Sequence, residues 1–533
     1  MQQSILFLAS SAGTQAASFP WISVLICIAV LASVLVWLVP ALHTKAREFS
    51  LGVSVLIFVL FLVAAFSGFD AHNSASVQLS EQYSWIPQIG VTLAWGVNGL
   101  GLAMLGLATF LVPLVVASSW HDFDDDDFGG YGYYGWVMAL EAIMIGIFAA
   151  RDVFVFYILF EVMIVPMYFL IGRYGKGVAG AFQARKAAMK FVVYSLVGGL
   201  IMLVGVIGVY VKGSGGKSVF LIDNLSDVVA GSSTVQTLLF LSFFLAFAIK
   251  APMFPLHTWL PDAAAASTPG TSTLLVGVLD KIGTFGMVAI ALPLFPEAAQ
   301  SNALWIMVLA VISILWGGFM AVSEKNLLRM ISYTSVSHFG FIVLGIFSGS
   351  SAALAGAILY MVAHGVATGG LFLAASFLNR RGSSYAMADY GGWQRVTPLI
   401  AGFFLIAGLA SLALPGLSGF VPEYLILVGT FSTQKVLGIL AVFGVILAAI
   451  YILWPYQKIF TGPKPDSKVT DMDGRERTVA GILIAAMAFL GFVPGSVLDI
   501  AHPVADQTVS TVFTAHAGAE SAPALDTFQG GLK

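Results

Sequence analysis

The stretch TLLFLSFFLAFAIK (237–250), followed directly by APMFPLHTWLPDA (251–263), decides how this chain folds. Its first part is apolar enough for a membrane helix, yet it ends on Lys250. A lysine at the centre of a membrane helix costs about 2.5–3.5 kcal/mol on insertion scales. Pro252 and Pro255 follow at once and interrupt the helix beside the charge. Because transporters build ion paths from such interrupted helices, the stretch predicts a membrane protein that moves an ion, with the proton as first candidate.

The composition of the whole chain is that of a membrane protein. Its 533 residues are 59% hydrophobic and 10% charged, whereas an ordinary soluble domain carries about 25% charged residues. The single cysteine, Cys27, excludes a disulfide framework and four-cysteine metal or cluster sites. We see no phosphate-binding loop, metal-ligand cluster or nucleophile–base motif, so we expect the chain itself to bind no cofactor or metal. The N-terminus lacks a basic region before its apolar residues and is expected to be retained rather than cleaved as a signal peptide.

Apolar runs of about 20 residues predict an all-α polytopic membrane protein with fourteen transmembrane helices. Two runs, the seventh and the twelfth, are too long for one straight span and contain prolines, so they are predicted to be broken helices. The predicted spans are 21–41, 50–68, 98–119, 132–150, 152–171, 188–212, 234–266, 271–293, 303–322, 328–347, 351–379, 398–431, 435–461 and 476–497.

The basic residues fall unevenly on the two sides that this count defines. Seventeen lie in one set of alternate loops and five in the other, while Lys250 and Lys281 lie within the membrane. The positive-inside rule makes the larger set cytoplasmic and turns both termini outward. The acidic run DFDDDDF (122–128) falls on the cytoplasmic side and is interpreted as a solvated loop. The larger set consists of Lys45, Arg47, Arg173, Lys176, Arg185, Lys186, Lys190, Lys325, Arg329, Arg380, Arg381, Arg395, Lys458, Lys464, Lys468, Arg475 and Arg477.

The two broken spans indicate an internal repeat. They are five helices apart, and each carries one charge near its break, Lys250 in the first and Glu423, beside Pro415 and Pro422, in the second. Because five is odd, a repeat of that length is inverted across the membrane. The predicted parts are N-terminal helices 1–3 (1–131), a first repeat of helices 4–8 (132–302), a second of helices 9–13 (303–462), and helix 14 with a C-terminal tail (463–533).

Further charged residues lie within predicted spans. Glu161 lies about nine residues into its span, and Lys281 is the second intramembrane lysine. Burial disfavours the charged form of either group, which suits both to taking up and releasing protons. The alternatives are a neutral glutamate that holds two helices together and lysines that act as fixed counter-ions. Glu141 is a second carboxylate that either modulates Glu161 or is structural, and Asp280 adjoins Lys281 and could partly neutralise it.

Three histidines, His257, His338 and His364, also lie within predicted spans. Histidine both accepts and donates protons, so a relay between the lysines is favoured. His338 and His364 occupy consecutive spans, so a bis-histidine haem is an alternative, although it leaves the lysines unexplained. Simple packing of each histidine is the third interpretation.

Three stretches carry a family resemblance. FEVMIVPMYFLIG (160–172), IKAPMFPLHTWLPDAAAASTPGTS (249–272) and LRMISYTSVSHFGFIVLGI (328–346) resemble the fifth, seventh and tenth helices of the antiporter-like M subunit of respiratory complex I, the proton-pumping NADH–quinone oxidoreductase. The similarity extends from about residue 95 over most of the chain. It implies fourteen helices with inverted halves and a proton path through Glu161, Lys250, Lys281 and Glu423, with His257, His338 and His364 as connecting groups.

The resemblance also implies the setting of the chain. It predicts an integral protein of the bacterial inner membrane, beside other membrane-arm subunits, without nucleic-acid partners and without a redox centre of its own. NADH, FMN, iron–sulfur clusters and quinone would then be bound by partner subunits. A subunit of a multisubunit Na⁺/H⁺ antiporter and a subunit of a membrane-bound hydrogenase-type complex are the alternatives.

Three positions depart from the family's pattern. Pro422 stands where a small residue is usual, Asp280 stands where an apolar one is, and EKNLLRM (324–330) has Asn326 and Leu328 in place of charges. We expect these departures to affect the twelfth helix, the charge state of Lys281 and contacts at the cytoplasmic face.

Overall fold

The computed structural model describes residues 19–123, 130–212, 219–229, 233–466 and 468–514. Over the first half of the chain it has helices α1 (Trp21–Leu38), α2 (Pro40–His43), α3 (Ala46–Gly68), α4 (Gly99–Ser118), α5 (Gly130–Ala149), α6 (Val153–Val162), α7 (Ile164–Gly172), α8 (Lys176–Ala179), α9 (Ala181–Lys212), α10 (Ile222–Val229), α11 (Ser233–Lys250) and α12 (Trp259–Ala266).

The second half continues with α13 (Pro269–Leu274), α14 (Lys281–Gly286), α15 (Leu292–Leu294), α16 (Pro296–Ser323), α17 (Leu327–Phe347), α18 (Ser351–Gly382), α19 (Pro398–Ser411), α20 (Phe420–Thr433), α21 (Lys435–Phe460), α22 (Gly474–Phe492) and α23 (Gly495–Val509). π-helical turns occupy Leu275–Leu279, Met287–Ala291 and Ser510–Thr514. Single 3₁₀ turns occupy Ala71–Asn73, Pro87–Ile89, Leu256–Thr258, Met387–Asp389 and Trp393–Arg395.

The polytopic membrane character is confirmed. Among the described residues, eleven helical segments are long and apolar enough to cross a membrane, and the pair Gly474–Phe492 and Gly495–Phe513, bent by 58°, makes up to a twelfth. Shorter apolar helices, Thr234–Lys250, Pro398–Ser411 and Phe420–Thr433, lie where the two broken spans are predicted. The count of fourteen, the inverted symmetry of the repeats and the division into four parts stay predictions.

A β-hairpin between α3 and α4 shows that the all-α prediction is wrong over residues 78–97. Strand β1 (Gln78–Ile86) pairs antiparallel with β2 (Val91–Val97), and Gly90 closes the turn at a φ of 74°. The two strands lie between the predicted spans 50–68 and 98–119, in a stretch to which no transmembrane helix was assigned. Glu81 of β1 is buried and accepts a hydrogen bond of 2.8 Å from the backbone N–H of Ile22, so the hairpin caps the start of α1.

A second difference is the packed helix α23, which the prediction assigned mostly to a C-terminal tail. Its residues Ala501, Val504 and Ala505 are buried. A Cβ atom built at Gly99 of α4 would lie 2.0 Å from the carbonyl oxygen of Ile500, so the two helices touch through their backbones. The last helix is therefore part of the fold rather than an appendage.

The core of the molecule is formed by α17 and α18. In the most apolar stretch of each, every residue is buried, whereas only 28% of the corresponding stretch of α3 is buried. Helices that are apolar all round and fully buried belong at the centre of a bundle, and half-exposed apolar helices face lipid or another subunit. His338 on α17 and Tyr360 and His364 on α18 are therefore enclosed by protein.

The first break follows Lys250 and confirms the prediction from Pro252 and Pro255. Helix α11 ends at Lys250, and after one 3₁₀ turn the chain continues as α12. Trp259 Nε1 donates a hydrogen bond of 2.9 Å to the carbonyl oxygen of Ile249, and the backbone N–H of Phe254 donates one of 2.7 Å to Ser313 Oγ. Side chains thus satisfy backbone groups that the interruption leaves free, as hydrocarbon requires.

The second break separates α19 from α20. Pro415 lies within it, while Pro422 and Glu423 lie in the first turn of α20. A proline is tolerated there because first-turn N–H groups have no partner inside the helix. Pro422 therefore does not interrupt α20, and its expected effect on the twelfth helix stays a prediction. At the other departure, the side chain of Asn326 accepts bonds from the N–H groups of Leu328 and Arg329 and caps α17.

Basic residues predicted to share one side of the membrane meet in a buried ion cluster. Glu476 binds Arg380 at 3.0 Å and Arg381 at 2.6 Å, and its side chain is 4% exposed. Arg380 also binds Asp122 at 2.7 Å. Asp122 is therefore paired, so the interpretation as a solvated loop is wrong for this residue, whereas positions 124–128 of the acidic run lie outside the described residues. The cluster ties the start of that loop to α18 and α22.

We predict that Glu476→Ala lowers the free energy of unfolding by about 3–5 kcal/mol, because it leaves two partly buried guanidinium groups without this partner. Glu476→Gln should cost less, since a glutamine preserves the capping box with Asp473 at the start of α22. The measurement is the thermal unfolding midpoint of the purified protein in detergent. The control is Asp499→Ala, at an exposed position of α23. Equal midpoints for Glu476→Ala and the control would show that the cluster does not stabilise the fold.

Candidate functional site

Glu161, near the end of α6, is half-buried and faces α9. A Cβ atom built at Gly199 would lie only 1.5 Å from Glu161 Oε1, so the carboxylate occupies the space that this glycine leaves. Oε1 is buried and has no hydrogen-bond partner among the described residues. Glu161 interacts electrostatically with Lys250, although the two form no ion pair within 4 Å in the described part of the chain, where the Lys250 ammonium is bonded to Ser195 instead. The pair is therefore close but not joined.

Lys250 is the last residue of α11 and is 2% exposed. Its Nζ donates a hydrogen bond of 3.1 Å to Ser195 Oγ on α9 and lies 4.7 Å from the ring centroid of Phe191 and 5.4 Å from that of Phe160. Aromatic faces attract a cation, and the carbonyl end of a helix carries partial negative charge. These neutral groups hold the ammonium without a salt bridge.

Lys281 begins α14, separated by Asp280 from the end of the π-helical turn Leu275–Leu279, and is fully buried. Its Nζ lies 2.7 Å from His364 Nδ1 and donates a bond of 2.7 Å to the carbonyl oxygen of Val276 in the π-helical turn. The ring of Phe339 lies 5.3 Å away. The structure therefore joins the second lysine directly to a histidine of α18, whereas the predicted relay placed the histidines between the two lysines.

The contacts continue from that histidine towards Glu423. The rings of His364 and His338 lie 5.1 Å apart and nearly perpendicular. His338 Nε2 lies 3.0 Å from the hydroxyl of Tyr451, and the hydroxyl of Tyr360 donates a bond of 2.9 Å to Glu423 Oε2. The His338 and Tyr360 rings are 5.8 Å apart. The order of neighbours is thus Lys281, His364, His338, the two tyrosines and Glu423, which we call the buried string.

Tyr360 and Tyr451 were missed by the sequence analysis. Both are fully buried in apolar helices, where tyrosine is usual, so nothing in their local sequence distinguishes them.

The edge-to-face contact of His338 and His364 does not fit the bis-histidine haem alternative. The two rings touch, and His364 Nδ1 is bonded to Lys281, so no macrocycle fits between them.

The third histidine, His257, lies apart from the buried string. Its ring stacks on Phe254 at 5.8 Å and lies 6.3 Å from Tyr333, and its Nδ1 has no hydrogen-bond partner in the described residues. The guanidinium of Arg329 lies 5.9 Å from the same Tyr333 ring. His257 is thus directed towards the end of the molecule that carries Lys190, Asp262 and Arg329, which we call the basic end. The structure does not place His257 between the two lysines.

At that end, Asp262 binds Lys190 at 2.7 Å and Arg329 at 2.5 Å. Asp262 belongs to the WLPD motif at the start of α12, whereas its partners come from α9 and α17. A cavity of about 470 Å³ lies beside this cluster. The motif was visible in the sequence, but its partners, 72 and 67 residues away, were not.

Two further buried acids have no hydrogen-bond partner in the part of the chain that the structure describes. Glu141 and Asp280 are each fully buried, and neither carboxylate has a hydrogen bond among the described residues. Glu141 therefore shows no contact with Glu161. Asp280 forms no ion pair with Lys281 in the described part of the chain, because Lys281 Nζ is turned to His364.

Comparison with known proteins identifies the family. Residues 150–449 match the family described as NADH:quinone oxidoreductase/Mrp antiporter, TM. A protein of Mycobacterium tuberculosis named NADH-quinone oxidoreductase subunit M is 38% identical over 530 residues, which cover 92% of this chain and 94% of that protein. A protein of the same name from Rhodobacter capsulatus is 35% identical over 475 residues, covering 87% and 90%.

Solved structures agree with this result. A chain of respiratory complex I from Thermus thermophilus with bound NADH superposes with a TM-score of 0.83 at 31% identity, covering 92% of this chain and 99% of that chain. A chain of the Mrp complex from Dietzia sp. gives a TM-score of 0.80 at 21% identity, covering 92% and 98%, which shows a shared fold alone. The chain therefore belongs to the family of M subunits of NADH–quinone oxidoreductase, the antiporter-like subunits of the membrane arm of complex I.

Proposed function

We propose that this subunit translocates protons through Glu161, Lys250, Lys281 and Glu423, with His338 and His364 as connecting groups. The single observation that carries the proposal is the buried string, in which Lys281 Nζ lies 2.7 Å from His364 Nδ1 and contacts continue to Glu423. Groups that accept and donate protons follow one another there in a part of the protein enclosed on every side. Fixed counter-ions would instead be paired with acids, whereas among the described residues the Lys250 ammonium is bonded to Ser195 and the Lys281 ammonium to His364 and a backbone carbonyl.

Glu161 is proposed to sense events in a neighbouring subunit. It is half-buried, so it reaches the edge of the protein, and it interacts with Lys250 without a fixed bond. A change of charge beside Glu161 would alter how strongly it holds the Lys250 ammonium and would thereby set the direction of proton transfer. His257 is proposed to connect Lys250 with the basic end, and Glu141 remains a candidate modulator of Glu161.

Energy for transport must come from outside the path, because each charge moved against 100 mV costs about 2.3 kcal/mol. We propose that redox chemistry in partner subunits, which would hold NADH, FMN, iron–sulfur clusters and quinone, supplies it. The proposed setting is the bacterial inner membrane, with both termini outside and other antiporter-like subunits alongside. The Na⁺/H⁺ antiporter and hydrogenase-type alternatives are less favoured, because relatives named subunit M match over almost the whole chain.

We predict that Lys250→Ala reduces NADH-driven proton uptake by inverted membrane vesicles at least about tenfold, as expected for the loss of a proton-transfer group. The assay follows quenching of a pH-sensitive dye, together with the amount of assembled complex. Lys435→Ala, at the exposed start of α21, is the matched control. Full uptake by assembled Lys250→Ala would disprove the proposal.

Gly199→Ala should reproduce the loss of Glu161 without changing the carboxylate itself. The added Cβ would lie 1.5 Å from Glu161 Oε1 and 2.4 Å from its Cδ, so the side chain must leave its position. We expect proton uptake per NADH oxidised to fall to the level of Glu161→Gln. Gly481→Ala, where nothing lies within 4 Å of the added atom, is the control. Unchanged uptake would show that the position of Glu161 is unimportant.

Tyr360→Phe tests the end of the string. It removes the one hydrogen bond that the described residues give to the Glu423 carboxylate, an effect of about 1–3 kcal/mol for a buried acceptor. We expect slower proton uptake with the complex still assembled. Tyr424→Phe, one residue from Glu423 but 54% exposed, should behave like wild type. Equal rates in both variants would remove Tyr360 from the path.

A further inference from the structure

Asp280 is a buried acid that has no role in the proton path proposed above. It is fully buried, and both of its carboxylate oxygens lack a hydrogen-bond partner among the described residues. Burying an unpaired polar group is costly, and unpartnered buried groups in native proteins call for an explanation. Since a simple packing role would be filled better by an apolar side chain, the carboxyl group itself needs a function.

The helix face that carries Asp280 is turned towards the end of α11. Gly283 lies one turn further on the same face, and a Cβ atom there would lie 2.5 Å from the backbone nitrogen of Ala251. At Gly286 it would lie 2.5 Å from the ring of Phe247. The two glycines therefore hold this face directly against the residues on both sides of Lys250. Asp280 itself follows the π-helical turn Leu275–Leu279, and π-turns occur frequently at functional sites.

The two lysines are held by other groups. Lys281 is adjacent in sequence but about 100° away around the helix, and its Nζ is bonded to His364 and to a backbone carbonyl. Lys250 Nζ is bonded to Ser195. Asp280 nevertheless interacts electrostatically with both lysines. Asp280 is therefore near both lysines and hydrogen-bonded to neither among the described residues, on the Lys250 side of Lys281, where the contacts of the buried string do not reach.

We propose that Asp280 carries the proton between Lys250 and Lys281, an inference that rests on the proton path proposed above. In the first transfer, an N–H bond of the Lys250 ammonium breaks and an O–H bond forms on the Asp280 carboxylate, which leaves a neutral amine and a neutral acid. In the second, that O–H bond breaks and an N–H bond forms on the neutral amine of Lys281. The proton is conserved throughout, and the lysines never need to approach each other.

The test compares Asp280→Asn, which keeps the shape but cannot carry a proton, with Asp280→Glu, which can. In inverted vesicles we expect Asp280→Asn to lower proton uptake per NADH oxidised at least about tenfold and Asp280→Glu to retain most of it. Asp499→Asn, the same change at an exposed position, is the matched control. Normal uptake in assembled Asp280→Asn would overturn the inference.

A spectroscopic measurement covers the case in which Asp280→Asn does not assemble. Infrared difference spectra of the complex, taken before and after reduction by NADH, should contain a carboxyl C=O band that shifts in Asp280→Glu. An identical band pattern in both proteins would overturn the inference. Lys250→Ala separates the two proposals: if it abolishes uptake while Asp280→Asn does not, the path stands and only the role of Asp280 fails.

Discussion

Hydrocarbon offers no hydrogen-bond partners, and the rest of this structure depends on that constraint. A charged group or an interrupted helix in such a medium must be satisfied by the protein itself. Trp259 donates to the carbonyl oxygen of Ile249 beside the first break, and Ser195 accepts from Lys250. Both donor side chains are buried, and in that enclosure these weak neutral contacts suffice. A charge at membrane depth is therefore stabilised only where several helices meet and supply polar contacts.

The positions of the charges along their helices follow the same physics. Lys250 is the last residue of α11, where unpaired carbonyl groups favour a cation, and Glu423 lies in the first turn of α20, where N–H groups favour an anion. At each break, the helix end thus carries a partial charge opposite in sign to that of the charged residue beside it. This provides a physical reason for pairing a lysine with one break and a glutamate with the other, independent of any symmetry between the halves.

The sequence could predict these features because they depend on local signals. Prolines after an apolar run predicted both breaks, and isolated charges identified Glu161, Lys250, Lys281 and Glu423 as unusual. It could not predict the hairpin at 78–97, whose short strands lie among longer apolar runs, or the packing of the moderately polar α23. Tyr360 and Tyr451 escaped notice because their roles depend on which helices meet. Pairings such as Asp262 with Lys190 bridge 72 residues, which a single sequence does not reveal.

The charged and titratable groups of the protein include some that are held in ion pairs and others that have an atom without a hydrogen-bond partner. Glu476 is bound by two arginines, and Asp262 is bound by Lys190 and Arg329. Glu161 Oε1, His338 Nδ1, His364 Nε2 and both oxygens of Asp280 have no hydrogen-bond partner among the described residues. An ion cluster of this kind fixes geometry, because moving a proton out of it breaks a strong bond. A group that must accept a proton and release it to another neighbour needs one position left open. The incompletely bonded groups along the proposed path are therefore those at which we expect protonation to change without disrupting the fold.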